Sequence, residues 1–512
     1  MNADDRRIAR NTVYLYGRML VTVWISLYTS RVVLERLGVE DYGIYGVVGG
    51  IVIILSFLNG TLSNATARFI SFEMGVGNGE RLNFTFASSM HLHLAVAAVV
   101  LVLGETAGLW YVNNQLVIPP ERMAAANICY QLSMLAVIAG IIQVPYYAVI
   151  MAHEHMDAVA IIAVVNVVLK LGAALGISLF ATADTLAGYS LLMAIAAVAV
   201  LLMHVVYARR CFPESRSMRC SDKSIRRAML HFGSWDIYGS LCYSTRVYGI
   251  IVILNRFGGA VLNAAGSLTL TVSGTITAFS LTVVSAFRPQ IIKGYASRNF
   301  DHALTLLYNA ALYSMLLMAL LVIPFIVEAP MLLRLWLGDV PEFTVTFSRL
   351  ALIAACAELL ITVVTVGIHA TGSVMRLSLI GGSLNLLQLP LMWWLLRITS
   401  SPPSVYAFHI FAMTGILFAD TLILKRQWHE FSLRSFWWRG VAVPALVCGA
   451  AMTLTVAAVM PLADGWGRLL LCCAVSTLSL CGISWLLVLP REAKDVVRER
   501  IATFCKKRTY GE

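Results

Sequence analysis

Long apolar runs dominate this chain and restrict what it can fold into. Its 512 residues are 59% hydrophobic and only 13% charged, and the mean hydropathy is +0.79. In soluble domains about a quarter of the residues are charged. Many of the apolar runs in this chain exceed the roughly 18 residues that indicate a transmembrane helix. A soluble protein with so many apolar helices would leave almost none of them a solvated face. The composition therefore predicts an all-α polytopic membrane protein.

The apolar runs resolve into about fourteen transmembrane helices, an even number that places both termini on the same side of the membrane. The predicted spans are 12–36, 43–64, 85–109, 125–151, 157–181, 185–208, 229–254, 262–286, 303–327, 344–368, 374–396, 404–424, 440–461 and 467–489.

Basic residues mark which side of the membrane each loop faces. Most of the 38 Lys and Arg residues fall in alternate loops, above all near the N-terminus, in 209–227 and in the tail after residue 490. Cytoplasmic loops carry such an excess, so both termini are predicted to be cytoplasmic. The net charge of +11 is then a signal of topology and predicts no nucleic-acid partner.

A basic, polar linker and an internal repeat divide the chain into two lobes. An offset of 220 residues aligns Arg36 with Arg256 and Arg68 with Arg288, at matching places in the order of spans. Copies with the same orientation predict two six-helix lobes related by a pseudo-two-fold axis along the membrane normal, with a site between them. The predicted parts are an N-lobe 1–208, a cytoplasmic linker 209–228, a C-lobe 229–424, two additional C-terminal helices in 425–489 and a basic cytoplasmic tail 490–512.

Motifs of enzymes and metal sites do not occur in the sequence. It contains no GxxxxGK[ST] phosphate loop, no HExxH and no nucleophile elbow, and its ten cysteines have no metal or disulfide spacing. The histidines also lack metal spacing and are interpreted as residues of the membrane interface. We therefore predict a protein that is not an enzyme and has no catalytic residue, cofactor or metal.

Four cations lie inside predicted spans, and they are the sharpest functional signal. They are Arg18, Arg31, Lys170 and Arg246. Each costs about 2.5–3.5 kcal/mol at the centre of a lipid-facing helix, so they are expected to face protein or water and to bind substrate in a cavity. The alternative for Arg31, near the end of its span, is that its side chain reaches the lipid head groups.

Polar residues on the same helix faces are predicted to line that cavity. Thr22 and Ser26 share the face of Arg18, and Trp235 and Tyr243 share that of Arg246. The span 262–286 carries hydroxyls on every side, and Thr271 and Thr275 are the predicted lining residues. The alternative for these hydroxyls is hydrogen bonding to carbonyls of their own helix.

Few acids lie inside the spans. Asp236 and Glu358 are candidates for coupling transport to a proton or sodium ion, and the alternative is an internal ion pair with one of the cations. Glu105 and, near the end of its span, Asp420 are the others.

Several stretches resemble the polysaccharide-exporter branch of the multidrug/oligosaccharidyl-lipid/polysaccharide (MOP) flippase superfamily, the Wzx-like O-antigen flippases of lipopolysaccharide biosynthesis. The resemblance is dense over about 1–180 and weaker over 181–424. It is carried by RVVLERLGVEDYGIYGVVGGI, FLNGTLSNATARFISFEMG, IPPERMAAANICYQ and IIQVPYYAVIMAHEHM.

The resemblance implies a flippase of the bacterial inner membrane that moves oligosaccharide linked to undecaprenyl diphosphate by alternating access. Membrane lipid, a polysaccharide polymerase and glycosyltransferases would be its neighbours. The two additional helices would guide the lipid tail. Cavity cations suit a diphosphate. The alternative is a cation-coupled, MATE-like exporter of drugs or metabolites on the same fold.

Overall fold

A computed structural model gives the three-dimensional structure. It describes residues 65–114, 118–180, 184–216, 222–338, 340–463 and 465–488, together with short pieces between residues 14 and 63. Within these residues the chain is helical and contains no strand. The predicted all-α, polytopic class is confirmed.

Twelve helices in the described part of the chain are long and apolar enough to cross a membrane. They are α1 (Gly79–Asn114), α2 (Pro120–Ala152), α3 (Met156–Ser178), α4 (Thr185–Cys211), α5 (Lys223–Gly258), α6 (Ala265–Ala296), α7 (Phe300–Leu337), α8 (Thr344–Thr371), α9 (Leu377–Thr399), α10 (Pro403–Gln427), α11 (Leu433–Val459) and α12 (Trp466–Leu486).

These helices coincide one for one with the last twelve predicted spans. The first two predictions, 12–36 and 43–64, fall largely outside the described residues. A further helical stretch, 65–76, precedes α1.

Local sequence sets where several helices begin. The side chain of Asn78 accepts a hydrogen bond from the backbone N–H of Arg81 at the start of α1, and Asp184 accepts one from Ala187 at the start of α4. Such caps satisfy N–H groups that have no partner within the helix. Pro403 opens α10, where its fixed φ fits the first turn and its missing N–H is not needed.

Helices α5 and α6 form an unbroken run of helical residues from Lys223 to Ala296, yet the chain reverses direction between them. A Cβ atom on Gly266 would lie 3.0 Å from the side chain of Leu254, which is twelve positions earlier. In a straight helix those positions are about 18 Å apart at 1.5 Å per residue. The two helices therefore run side by side.

Contacts divide the chain into two compact units. The N-terminal unit contains Asn11–Ile237 and Ile292–Asn299, and the C-terminal unit contains Tyr238–Ile291 and Phe300 onwards. The predicted lobes, linker, additional helices and two-fold relation stay predictions.

Each unit has its own apolar core. In the N-terminal unit, Tyr130 of α2 is fully buried and donates a hydrogen bond to the carbonyl of Gly104, 2.8 Å away, at a π-helical turn of α1. In the C-terminal unit, the rings of Phe347 on α8 and Tyr406 on α10 pack 4.9 Å apart. These aromatic contacts hold neighbouring helices in register.

Candidate functional site

Arg246 lies in the middle of the C-terminal unit's core, on α5, with only 2% of its surface exposed. Its guanidinium stacks on the ring of Tyr243, one turn earlier, at 4.6 Å. A buried cation needs a counter-charge and hydrogen-bond acceptors, because it has lost its hydration.

Glu358 of α8 supplies the counter-charge. Nη1 of Arg246 donates to Oε1 of Glu358 at 2.5 Å, and the Glu358 side chain is 20% exposed. Sequence reasoning named both residues separately, and the structure brings them together although 112 positions separate them in the chain. The structure shows Glu358 in an ion pair, and its role in ion coupling stays a prediction.

His409 of α10 completes the charged group. Its Nε2 lies 2.9 Å from Nη1 of Arg246 and 3.2 Å from Oε1 of Glu358, and its Nδ1 lies 3.0 Å from Oε1 of Gln388. The tautomer that donates from Nδ1 to Gln388 and accepts from Arg246 at Nε2 fits those two partners. Gln388 in turn donates to Asn385 at 3.3 Å. Four helices thus fix the position of one guanidinium.

A cavity of about 210 Å³ borders this group. Besides Arg246, Glu358 and His409, its walls carry hydroxyl groups and a second tyrosine. These residues are Thr269, Ser273 and Thr277 of α6, and Tyr406 of α10. The walls therefore combine one charged pair with neutral hydrogen-bonding groups and aromatic surface.

One edge of the Arg246 guanidinium is unused. Its Nε and Nη2 are buried and have no hydrogen-bond acceptor among the described residues. These two N–H groups form the fork that binds carboxylate or phosphate oxygens in pairs. An unsatisfied buried donor costs about 1–3 kcal/mol, so a ligand oxygen placed there would recover that energy.

The other predicted cations lie elsewhere. Arg18 is half-buried in the short described pieces of the first predicted span, Lys170 is exposed on α3, and Arg31 lies outside the described residues. Both described residues belong to the N-terminal unit. Their roles as substrate contacts stay predictions.

The predicted lining residues are placed as follows. Thr22 donates to the carbonyl of Met19, Ser26 is exposed, and Trp235 is half-buried with its ring 6.3 Å from that of His231. Asp236, the other ion-coupling candidate, is half-buried on α5.

Hydroxyls of α6 bond to carbonyls of their own helix, and some of them also line the Arg246 cavity. Thr271 donates to the carbonyl of Ser267 at 3.1 Å and Thr275 to that of Thr271 at 2.8 Å, as expected for bonding within the helix. The cavity beside Arg246 is lined by Thr269, Ser273 and Thr277 instead. Thr271 and Thr275 are exposed, and their place in a cavity between lobes stays a prediction.

His409 and Gln388 were missed from the sequence. The sequence predicts histidines at the membrane interface, yet His409 and also His93 and His204 are buried inside helices. The position of His409 could have indicated its burial, because it lies well within the predicted span 404–424.

Two charged clusters in the N-terminal unit account for several of the quoted motifs. Arg122 of IPPER donates to both carboxylate oxygens of Asp41, in VEDYG, and to Asp184 at 2.7 Å. Lys293 donates to Glu154 of AHEHM at 2.8 Å. These ion pairs join segments distant in sequence, so a structural role explains them. Among the described residues no group of three His, Cys, Asp or Glu side chains is arranged to hold a metal ion.

Solved structures of membrane transporters share this fold. A MATE protein in the straight conformation superposes with a TM-score of 0.71 at 14% identity, over 83% of this chain and 96% of that chain. An outward-facing multidrug resistance MATE transporter of the MOP superfamily gives 0.67 at 14% identity over the same shares. A MOP superfamily transporter from Pyrococcus furiosus, described by a binding pocket of reverse polarity that suggests a different function, gives 0.66 at 14% identity, again over 83% and 96%.

At this level of identity the similarity shows the fold alone, which this chain shares with these structures. No protein-family model matches the chain, and neither does any curated protein.

Proposed function

We propose that this protein exports lipid-linked oligosaccharide, carried on undecaprenyl diphosphate, across the bacterial inner membrane by alternating access, for surface polysaccharide synthesis. The observation that carries the proposal is Arg246, a buried cation whose Nε and Nη2 lack acceptors, beside a cavity lined with hydroxyls and tyrosines. A diphosphate offers the paired oxygens that such a fork binds, and sugars suit hydroxyls and aromatic rings.

The size of the cavity limits what it holds. At about 210 Å³ it is smaller than the roughly 300–1,000 Å³ of sites for drug-sized ligands. It accommodates one phosphate or one sugar ring. The remaining sugars and the lipid must then be held by other parts of the protein, for which Arg18, Arg31 and Lys170 stay the proposed diphosphate contacts.

A second candidate function is cation-coupled export of drugs or metabolites. Glu358 favours it, because a carboxylate in the same cavity can attract a cationic substrate or a coupling ion once it leaves Arg246. The transporter from Pyrococcus furiosus, with its pocket of reverse polarity, supports the idea that pocket charge separates functions within this fold.

Deletion of the gene from its host, followed by measurement of lipid-linked oligosaccharide in each leaflet, tests the proposal. We expect the lipid-linked sugar to accumulate on the cytoplasmic leaflet and the wild-type gene to restore export. Arg246→Ala should fail even when its amount in the membrane is matched to that of the wild type, whereas Arg256→Ala, which changes an exposed arginine near the end of the same helix, should succeed. Normal sugar export in the deletion strain, with loss of efflux of cationic compounds, would favour the second candidate.

A further inference from the structure

Asp420 is a second acid in the helices of the C-terminal unit, and its surroundings differ from those of Glu358. It lies on α10, three turns beyond His409, with 1% of its surface exposed. Its Oδ1 is buried without a hydrogen-bond donor, and no Arg, Lys or His of the described residues forms an ion pair with it. Glu358, in contrast, has both Arg246 and His409 within hydrogen-bonding distance.

Gly381 of α9 packs on Asp420 without a side chain. A Cβ atom on Gly381 would lie 3.4 Å from Oδ1 and 4.0 Å from Oδ2, and the apolar side chain of Leu377 lies beside the same position. Gly381 ends a π-helical turn, Leu377–Gly381, a local irregularity that occurs frequently at functional sites. Gly382, the next residue, packs on α5. Its neighbours there are Tyr238 and Cys242, which are both titratable.

The other neighbouring helices are equally poor in charge near Asp420. On α8, Gly367 packs on Leu424, one turn beyond Asp420, and the stretch 359–368 contains no ionisable side chain. The next residue, His369, is titratable, and its ring lies 3.3 Å from the guanidinium of Arg288. On α10 itself the nearest charged residue toward the C-terminus is Lys425. At the start of α11, Trp437 donates to Thr421, and Arg434 and Arg439 flank that tryptophan without bonding to Asp420.

We propose that Asp420 is a proton-binding site, held in this structure as a neutral carboxylic acid. An ionised carboxylate without donors or a counter-charge is strongly disfavoured in a buried, membrane-embedded position, whereas the protonated acid is tolerated there. Movement of the π-helical turn away from Asp420 would admit water and release the proton. The site is separate from the Arg246 cavity, whose lining does not include it, and the proposal does not depend on which substrate is exported.

Labelling with the apolar reagent dicyclohexylcarbodiimide tests this directly, since it reacts with protonated carboxyl groups. The carboxyl proton adds to a carbodiimide nitrogen, the oxygen bonds to the central carbon, and the adduct rearranges to a stable N-acylurea that retains every atom. We expect mass spectrometry of the full-length protein in nanodiscs to find the adduct on Asp420 at pH 6, with less at pH 9. Glu358, ionised beside Arg246, serves as the matched control and should stay unlabelled.

Melting temperatures give a second measurement that does not depend on access of the reagent. Asn is nearly isosteric with protonated Asp. The melting temperature of Asp420→Asn should therefore equal that of the wild type near pH 5 and should exceed it increasingly as the pH rises. Glu358→Gln, which breaks an ion pair, should be destabilised at both ends of this range. The proposal fails if Asp420→Asn behaves like Glu358→Gln at every pH, or if Asp420 remains unlabelled while Glu358 is modified.

Discussion

At the residue scale, the pairing of Arg246 with Glu358 makes a strong prediction for stability. Removing one member of a buried ion pair leaves an uncompensated charge and costs about 3–5 kcal/mol. We expect Glu358→Gln to lower the free energy of unfolding toward the lower end of that range, because the Glu358 side chain is 20% exposed.

The control for this prediction is the double variant Arg246→Gln/Glu358→Gln, which leaves no charge unpaired. It should be less destabilised than the sum of the two single variants, as measured by thermal unfolding in nanodiscs. Additive losses would show that the two side chains do not interact.

A second prediction at this scale concerns pH. Glu214 lies outside the spanning helices, after α4, where His153 bonds to its Oε1 at 2.5 Å. Burial acts to raise the pKa of Glu214, but the hydrogen bond and charge of His153 and a backbone hydrogen bond outweigh it, so its pKa lies below the ordinary 4.5. Its stabilising effect is therefore present above about pH 4.5 and is lost as the pH falls through the lowered pKa.

Glu214→Gln tests this sign. The wild type should melt at a higher temperature than the variant near neutral pH, and the difference should shrink as the pH falls through the lowered pKa of Glu214. A difference that is undiminished at the acidic end of the range would contradict the assignment.

The sequence predicted individual residues of the site but not their pairing. Arg246 and Glu358 stood out because charge is expensive inside an apolar span, whereas their contact depends on how α5 and α8 pack. His409 and Gln388 carry no formal charge, so the same criterion passed over them. In the same way, the sequence singles out Thr271 and Thr275 among the Ser and Thr residues of α6 but cannot tell which side of that helix faces the Arg246 cavity.

At the scale of the helix, α7 contains a kink with an identifiable cause. Glu328 departs from helical geometry, and Pro330 lacks the N–H that would bond to the carbonyl of Ile326. Arg349 of α8 replaces that donor, with its Nε 2.8 Å from the Ile326 oxygen. The span was predicted to end at residue 327, because the polar residues beyond it interrupt the apolar run, but the helix continues to Leu337.

Arg349→Ala should reduce the free energy of unfolding by about 1 kcal/mol, since a part-buried carbonyl loses its donor. In a Pro330→Ala background the restored N–H supplies that donor. The effect of Arg349→Ala should then be smaller, which thermal unfolding of the four proteins measures. An equal loss of stability in both backgrounds would show that Arg349 does not replace the donor that Pro330 lacks.

A second prediction for the helices concerns the close approach of the stretch 65–76 to the end of α6. A Cβ atom on Gly75 would lie 2.5 Å from the carbonyl oxygen of Lys293, which is backbone and cannot move aside easily. Gly75→Ala should therefore destabilise the N-terminal unit by about 1–3 kcal/mol. Gly79→Ala, with open space around its Cβ position, is the control, and an equal effect of both changes on the melting temperature would refute the contact.

At the scale of the whole molecule, apolar run length alone predicted twelve helices that the structure contains, because a membrane span needs a nearly fixed number of apolar residues. The same criterion cannot show how the helices associate. Hydrophobicity is similar on all sides of a span, and specific contacts such as Arg122 with Asp41 or Arg468 with Glu328, 2.9 Å apart, join residues far apart in the chain. The fold class was therefore predictable, while the group around Arg246 required the structure.

Transport of lipid-linked oligosaccharide by purified protein in proteoliposomes tests the central claim most directly. We predict that wild-type protein moves undecaprenyl-diphosphate-linked sugar from one leaflet to the other, as detected by a membrane-impermeant glycosidase. Arg246→Gln should slow this movement about tenfold or more, the equivalent of losing charge-assisted hydrogen bonds of about 1.5–3 kcal/mol. Arg256→Ala should move the lipid at the wild-type rate. Movement by Arg246→Gln at the wild-type rate, or no movement by the wild type, would contradict the account.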